Sequence, residues 1–109
     1  MKKIDWIESS KKDLKKFPES IRHDLGYQIY LVQMGKEPFV WKPMTSIGQG
    51  VKEIIVHSKN EYRVIYVAKF KEALYILHAF VKKTQKTSNK DIEISKMRYK
   101  EVLRRRKNE

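Results

Sequence analysis

The residues best able to act on an anion fall in two neighbouring stretches. Arg63 sits inside "YRVIYVAKF" (62–70), with Lys69 on the same face by alternation. "ALYILHAFVKK" (73–83) then delivers His78, Lys82 and Lys83, followed at once by Gln85 and Lys86. An arginine offers parallel donors that match two oxygens of a phosphate or carboxylate. A lysine crowded by other cations releases its proton more readily, and a histidine, here His57 or His78, titrates near neutrality unaided. The chemistry on offer is therefore the clamping of an oxyanion with proton transfer beside it. Each residue also has a plainer reading. Arg63 can pair with Glu53 on the preceding strand, His78 can be a hydrogen-bonded core residue, His57 an exposed strand end, and Lys82-Lys83 a solvated turn.

The charge balance narrows the partner. The chain has 109 residues, with 25 Lys+Arg against 13 Asp+Glu for a net +12. From Lys82 onward there are eleven basic and four acidic residues, so +7 of the excess lies in the last quarter. Such a surface suits a polyanion, either nucleic acid or an anionic membrane face. Cysteine is absent, which excludes a disulfide framework and thiolate metal sites. The three His show no metal-ligand spacing, and the glycines form no phosphate loop. No apolar run reaches the roughly 20 residues of a membrane span, and the start is charged where a signal peptide turns apolar. A cytoplasmic protein with no cofactor and no membrane partner is expected.

The length fits one domain, residues 1–109, whose elements must position these side chains. "KIDWI" (3–7) suits a short first strand. Ser10 with Asp13 has capping-box spacing for a short helix to about Phe17. Pro18 opens a second helix, in which Ile21, Leu25, Ile29 and Val32 form one stripe and Gly35 closes it. The two Pro and two Gly of 36–50 argue for a loop, anchored by Phe39 and Trp41. Three strands follow, at 51–58, 62–70 and 73–83, joined as hairpins. A last helix starts near Ser88 with Ile92, Tyr99 and Leu103 as a narrow, loosely docked stripe, in which Tyr99 is either core or functional. The expected class is α+β: two N-terminal helices on one face of a mainly antiparallel sheet of about four strands, with a C-terminal helix. In the last strand, alternation puts His78, Phe80 and Lys82 on one face and Leu77, Ala79 and Val81 on the other.

"EYRVIYVAKFKEALYILHAFVKKTQKTSNKDIEIS" resembles the RelE/ParE toxin superfamily of bacterial toxin-antitoxin modules, most closely its phage-derived HigB-like branch. That branch carries a Tyr-Arg-apolar-apolar-Tyr strand, here residues 62–66. An apolar strand then runs into His-small-Phe-apolar-Lys-Lys-Thr-Gln-Lys-Thr-Pro, here residues 78–87 with Ser88 in place of the Pro. The resemblance implies a RelE-like fold and a metal-independent endoribonuclease that cuts mRNA on the ribosome. Its implied partners are the ribosome, mRNA and a helix-turn-helix, HigA-like antitoxin. It places activity on Arg63 and the pair Lys82-Lys83; the residues' own chemistry adds His57 and His78 as further candidate proton carriers. RNA contacts would fall to Lys69, Gln85, Lys86, Arg98 and Tyr99. Relatives place basic side chains along the first hairpin strand, whereas this chain has Glu53, Ile54 and Ile55 there, so the general base stays open. A ParE-like inhibitor of DNA gyrase and a non-catalytic RNA-binding module are the other readings.

Overall fold

The computed structural model describes residues 1–83 and 86–108. Its elements run β1 (Lys3–Trp6), α1 (Ser10–Lys15), α2 (Glu19–Gln33), β2 (Trp41–Pro43), β3 (Val51–His57), β4 (Glu61–Val67), β5 (Ala73–Lys82) and α3 (Asn89–Lys107). The strands form a five-stranded sheet in the order β1-β5-β4-β3-β2. β1 pairs parallel to β5, and the other neighbours are antiparallel. The α+β class and the three-helix layout thus match the expectation, while β2 is an addition. It arises inside the Pro- and Gly-rich segment 36–50 because an edge strand needs only one paired side. Pro43, which has no N–H to give, falls at its last position.

Helix boundaries follow local chemistry. Pro18 precedes α2, and Gly35 follows its end at φ 82°, a left-handed conformation that glycine adopts without strain. In α1 the cap differs from the expected one. Ser9 precedes the helix and donates its hydroxyl to the Asp13 carboxylate at 2.8 Å, whereas Ser10 is buried and donates to the Ile76 carbonyl at 3.1 Å. The Ser88 hydroxyl caps α3 by accepting the Asp91 N–H at 3.1 Å, and Arg104 to Lys107 fill the last turn, where the helix dipole favours cations.

Two cores sandwich the sheet. Leu14 of α1, Phe17 of the link to α2, and Ile21, Leu25 and Ile29 of α2 pack on Ile54, Val64, Tyr66 and Ile76. On the other face Tyr99 and Val102 of α3 join Ile7, Met44 and Ile47 over Val51, Ile65, Val67 and Leu77. The last helix is therefore firmly docked rather than loosely held. Val102 is fully buried and Leu103 is 42% exposed, so the apolar stripe lies one residue earlier than expected at that turn. Each buried aliphatic side chain of this kind is worth about 1.5–3 kcal/mol.

One irregularity alters the face assignment in β5. The β4–β5 register shifts between Ile65 and Tyr66, whose partners are His78 and Ile76. Leu77 is the extra residue opposite that step, and a bulge turns it toward the α3 core instead of leaving it beside Ala79. His78 and Phe80 remain on the α3 face as alternation required, with their rings stacked at 4.8 Å.

Candidate nucleic-acid interface

Cross-strand pairing builds the site in three rows on the α3 face, running from beneath α3 out to the strand ends. Paired residues on neighbouring strands share a face. The outermost row is His57–Glu61–Lys82, the next is Ile55–Arg63–Phe80, and the third is Lys42–Glu53–Ile65–His78. Along β4 and β5 exposure falls from the outermost row inward. Arg63 and Phe80 are buried, Glu61 and Lys82 half-buried, and His57 exposed.

Arg63 is the centre of the arrangement. Its guanidinium donates to Glu53 Oε1 at 2.5 Å on one side and to the Glu61 carboxylate on the other. Glu53 has no exposed surface and also lies 3.7 Å from the Lys42 ammonium. The pairing of Arg63 with Glu53 therefore exists, and it leaves capacity unused: Arg63 Nε and Glu53 Oε2 are buried without a hydrogen-bond partner. An ion pair this deep needs such contacts to offset desolvation, so Arg63 is fixed in place.

Lys82 and His57 flank Glu61. Burial, followed by the charges of Arg63 and Lys42, lowers the Lys82 pKa from the usual lysine range, with Glu61 and Glu53 opposing. Arg63, above all, holds the Glu61 carboxyl below the usual carboxylate range. His57 Nδ1 stands 3.7 Å from Glu61 Oε2. The row thus sets two groups able to carry protons on either side of an arginine-bound carboxylate. Lys42, a member of this cluster, escaped sequence reasoning because it lay in a segment with no regular pattern. The only available signal was its place next to Trp41 in an otherwise Pro-punctuated stretch.

The basic turn lies beside this row. Val81, Lys82, Lys83, Lys86, Ser88 and Asp91 line a cleft of about 160 Å³ between the end of β5 and the start of α3. Lys83 is exposed, Lys82 is shared between cleft and row, and Gln85 lies outside the described residues.

The remaining candidates are held by other contacts. His78 is buried, with Nε2 2.7 Å from Asp91 Oδ1 and Nδ1 3.5 Å from the Arg98 guanidinium. Burial lowers its pKa, and Asp91 opposes that shift. Arg98 donates to the carbonyl of the bulged Leu77 at 2.9 Å and to Ser9 Oγ at 3.0 Å, which ties α3 to β5 and to the start of α1. Tyr99 is core: its hydroxyl donates to the Gln49 carbonyl at 3.1 Å, and a Cβ on Gly48 would overlap its ring. Lys69 lies over Phe70 and Tyr99, past the Val67 end of β4 and so roughly 13 Å or more from Arg63 at about 3.3 Å per residue. Arg98, Tyr99 and Lys69 are thus not gathered with the Arg63 rows, while His78 ends the third row with its ring nitrogens engaged by Asp91 and Arg98.

Among the described residues no three His, Asp or Glu side chains assemble as a metal ligand set, and no helix is long and apolar enough to cross a membrane. No individual curated protein matches the chain. The family model "Phage derived protein Gp49-like (DUF891)" matches residues 12–100, a span that holds Lys42, Glu53, Glu61, Arg63 and Lys82. With that match over most of its length, the chain belongs to the phage-derived Gp49-like family, a toxin-like family of the RelE/ParE-like superfamily.

Proposed function

We propose that the protein is the toxin of a two-gene module, of HigB-like type, and that it inhibits translation by cutting mRNA on the ribosome. The observation that carries this reading is the row His57–Glu61–Lys82 with Arg63 directly behind it. RNA cleaves itself when its 2′-oxygen loses a proton, attacks the adjacent phosphorus and expels the 5′-oxygen. The products are a 2′,3′-cyclic phosphate and a 5′-hydroxyl, and no water is consumed. Arg63 and Lys42 supply fixed positive charge for the phosphorane. Lys82, its pKa lowered by burial and cationic neighbours, is suited to take the 2′-proton. His57 is within reach of the same anion position and suited to give a proton to the leaving oxygen. Lys83 and Lys86 extend positive charge along the message.

An antitoxin partner fits the family, and a HigA-like helix-turn-helix protein presenting acidic surface to these rows would neutralise them. Purified protein added to a translating extract, followed by primer extension on the mRNA, tests the reading. Cuts within codons are expected. Intact mRNA with a plasmid supercoiling defect would show a gyrase inhibitor instead, and binding without either effect would show a non-catalytic RNA-binding module.

A further inference from the structure

Arg63 meets two carboxylates of very different mobility. Glu53 is fully buried on β3 and held by Arg63 at 2.5 Å and Lys42 at 3.7 Å, so it is fixed. Glu61 opens β4, its side chain is 40% exposed, and it binds the other end of the same guanidinium. Its carboxylate thus occupies the accessible side of Arg63, between His57 and Lys82, which is where an incoming oxyanion would have to sit.

We infer that Glu61 is an internal stand-in for a backbone phosphate: it fills the oxyanion position in the free protein and swings out when a nucleic-acid phosphate takes its place on Arg63, while Glu53 holds the guanidinium still. The inference rests on reading this face as the RNA interface. Charge counting supports it. His57 apart, Lys42, Arg63 and Lys82 face Glu53 and Glu61, a local balance of +1. Departure of Glu61 raises that to +2, which one phosphodiester returns to +1. The free protein is thereby spared an uncompensated cation cluster, and the site acquires a selectivity: a ligand must bind Arg63 better than a tethered carboxylate does. Glu61 is accordingly a specificity-determining residue and not a catalytic one, since it leaves before the reacting atoms arrive.

The test uses a fluorescein-labelled, fully 2′-deoxy oligonucleotide, which cannot be cleaved, titrated into the wild-type chain, Glu61→Gln and Glu19→Gln. Glu19 is an exposed carboxylate on α2, so its variant gains the same unit of charge away from the site. Glu61→Gln is expected to bind about two- to fivefold tighter than Glu19→Gln at equal salt, the range of a partly exposed ion pair removed from competition. In parallel, the Arg63 side-chain NMR signal of the wild type, assigned by its loss in Arg63→Lys, is expected to move on saturation with the oligonucleotide. Glu61→Gln binding no tighter than Glu19→Gln, or an Arg63 signal that stays in place at saturation, overturns the inference. Because the probe is uncleavable, these results stand apart from the mRNA-cleavage assay. A chain that behaves as expected here and leaves mRNA intact in extract refutes only the catalytic reading.

Discussion

Glu53 Oε1 accepts a hydrogen bond from Arg63 at 2.5 Å in a place where neither side chain is more than 5% exposed. The residue proposed to hold the phosphate is therefore also half of a buried ion pair, and its removal acts on stability as well as chemistry. Arg63→Ala leaves the Glu53 carboxylate buried with only the more distant Lys42, a situation that usually costs about 3–5 kcal/mol. Replacing both partners with apolar residues of similar length, Arg63→Met with Glu53→Met, removes that penalty. Urea unfolding should show a large loss for the single variant and recovery of most of it in the double variant. Primer extension should show no cleavage by either. A double variant that still cuts mRNA would take Arg63 out of the chemistry.

Arg98 gives a prediction of the opposite kind. It satisfies the Leu77 carbonyl at the bulge and reaches Ser9, so Arg98→Ala leaves a buried acceptor unpaired, at about 1–3 kcal/mol. The Arg63 rows do not depend on it. A lower urea midpoint with an unchanged cleavage rate well below the melting range is expected. A stable Arg98→Ala protein with weakened RNA binding would restore Arg98 to the interface.

The burial of His78 sets a pH dependence that its contact with Asp91 opposes. Burial holds the folded-state pKa of His78 below its ordinary 6.5, so the unfolded chain binds its proton first as pH falls. Its contribution is fully present above pH 6.5 and declines as pH drops from there toward the lowered folded value. The Glu72 and Glu101 carboxyls, held at about 2 by arginines, begin to respond only near the ordinary value of 4.5, below the two pH values compared. Urea midpoints at about pH 7.5 and about pH 5.5 should differ for the wild type, and the difference should shrink in His78→Gln. Equal pH sensitivity in the two proteins would place the titrating group elsewhere.

Alternation put Phe80 and Lys82 on one face of their strand and Arg63 with Ile65 on one face of its own, and the apolar stripe of α2 was legible because it recurs without interruption; that the two faces coincide came only with the β4–β5 register. The Leu77 bulge was not legible, since a single extra residue leaves the composition of an apolar strand unchanged. The burial of Ser10 and Ser95 was hidden too: Ser10 satisfies its hydroxyl on the Ile76 carbonyl, which only the fold supplies, and Ser95 on the Asp91 carbonyl one turn back in its own helix. β2, and with it Lys42, was masked by Pro43. The position of His57 beside Glu61 and Lys82 required the register of two hairpins, which the turn residues suggest but do not specify.

The pair Lys82-Lys83 separates chemistry from affinity. Lys83 is exposed at the cleft, so Lys83→Ala should weaken ribosome or RNA binding and reduce the slope of log affinity against log salt by about one unit, as loss of one phosphate contact does. Lys82 stands in the row with Glu61 and has the lowered pKa. If it carries a proton, Lys82→Ala should reduce the single-turnover cleavage rate at saturating ribosome with a smaller change in salt slope. Lys82→Arg then decides between charge and proton transfer. Arginine keeps the charge but stays protonated at every accessible pH, so it restores binding and leaves the rate low. Recovery of the wild-type rate by Lys82→Arg would make Lys82 a fixed cation and pass the base role to another group, for which His57→Gln is the next variant to measure.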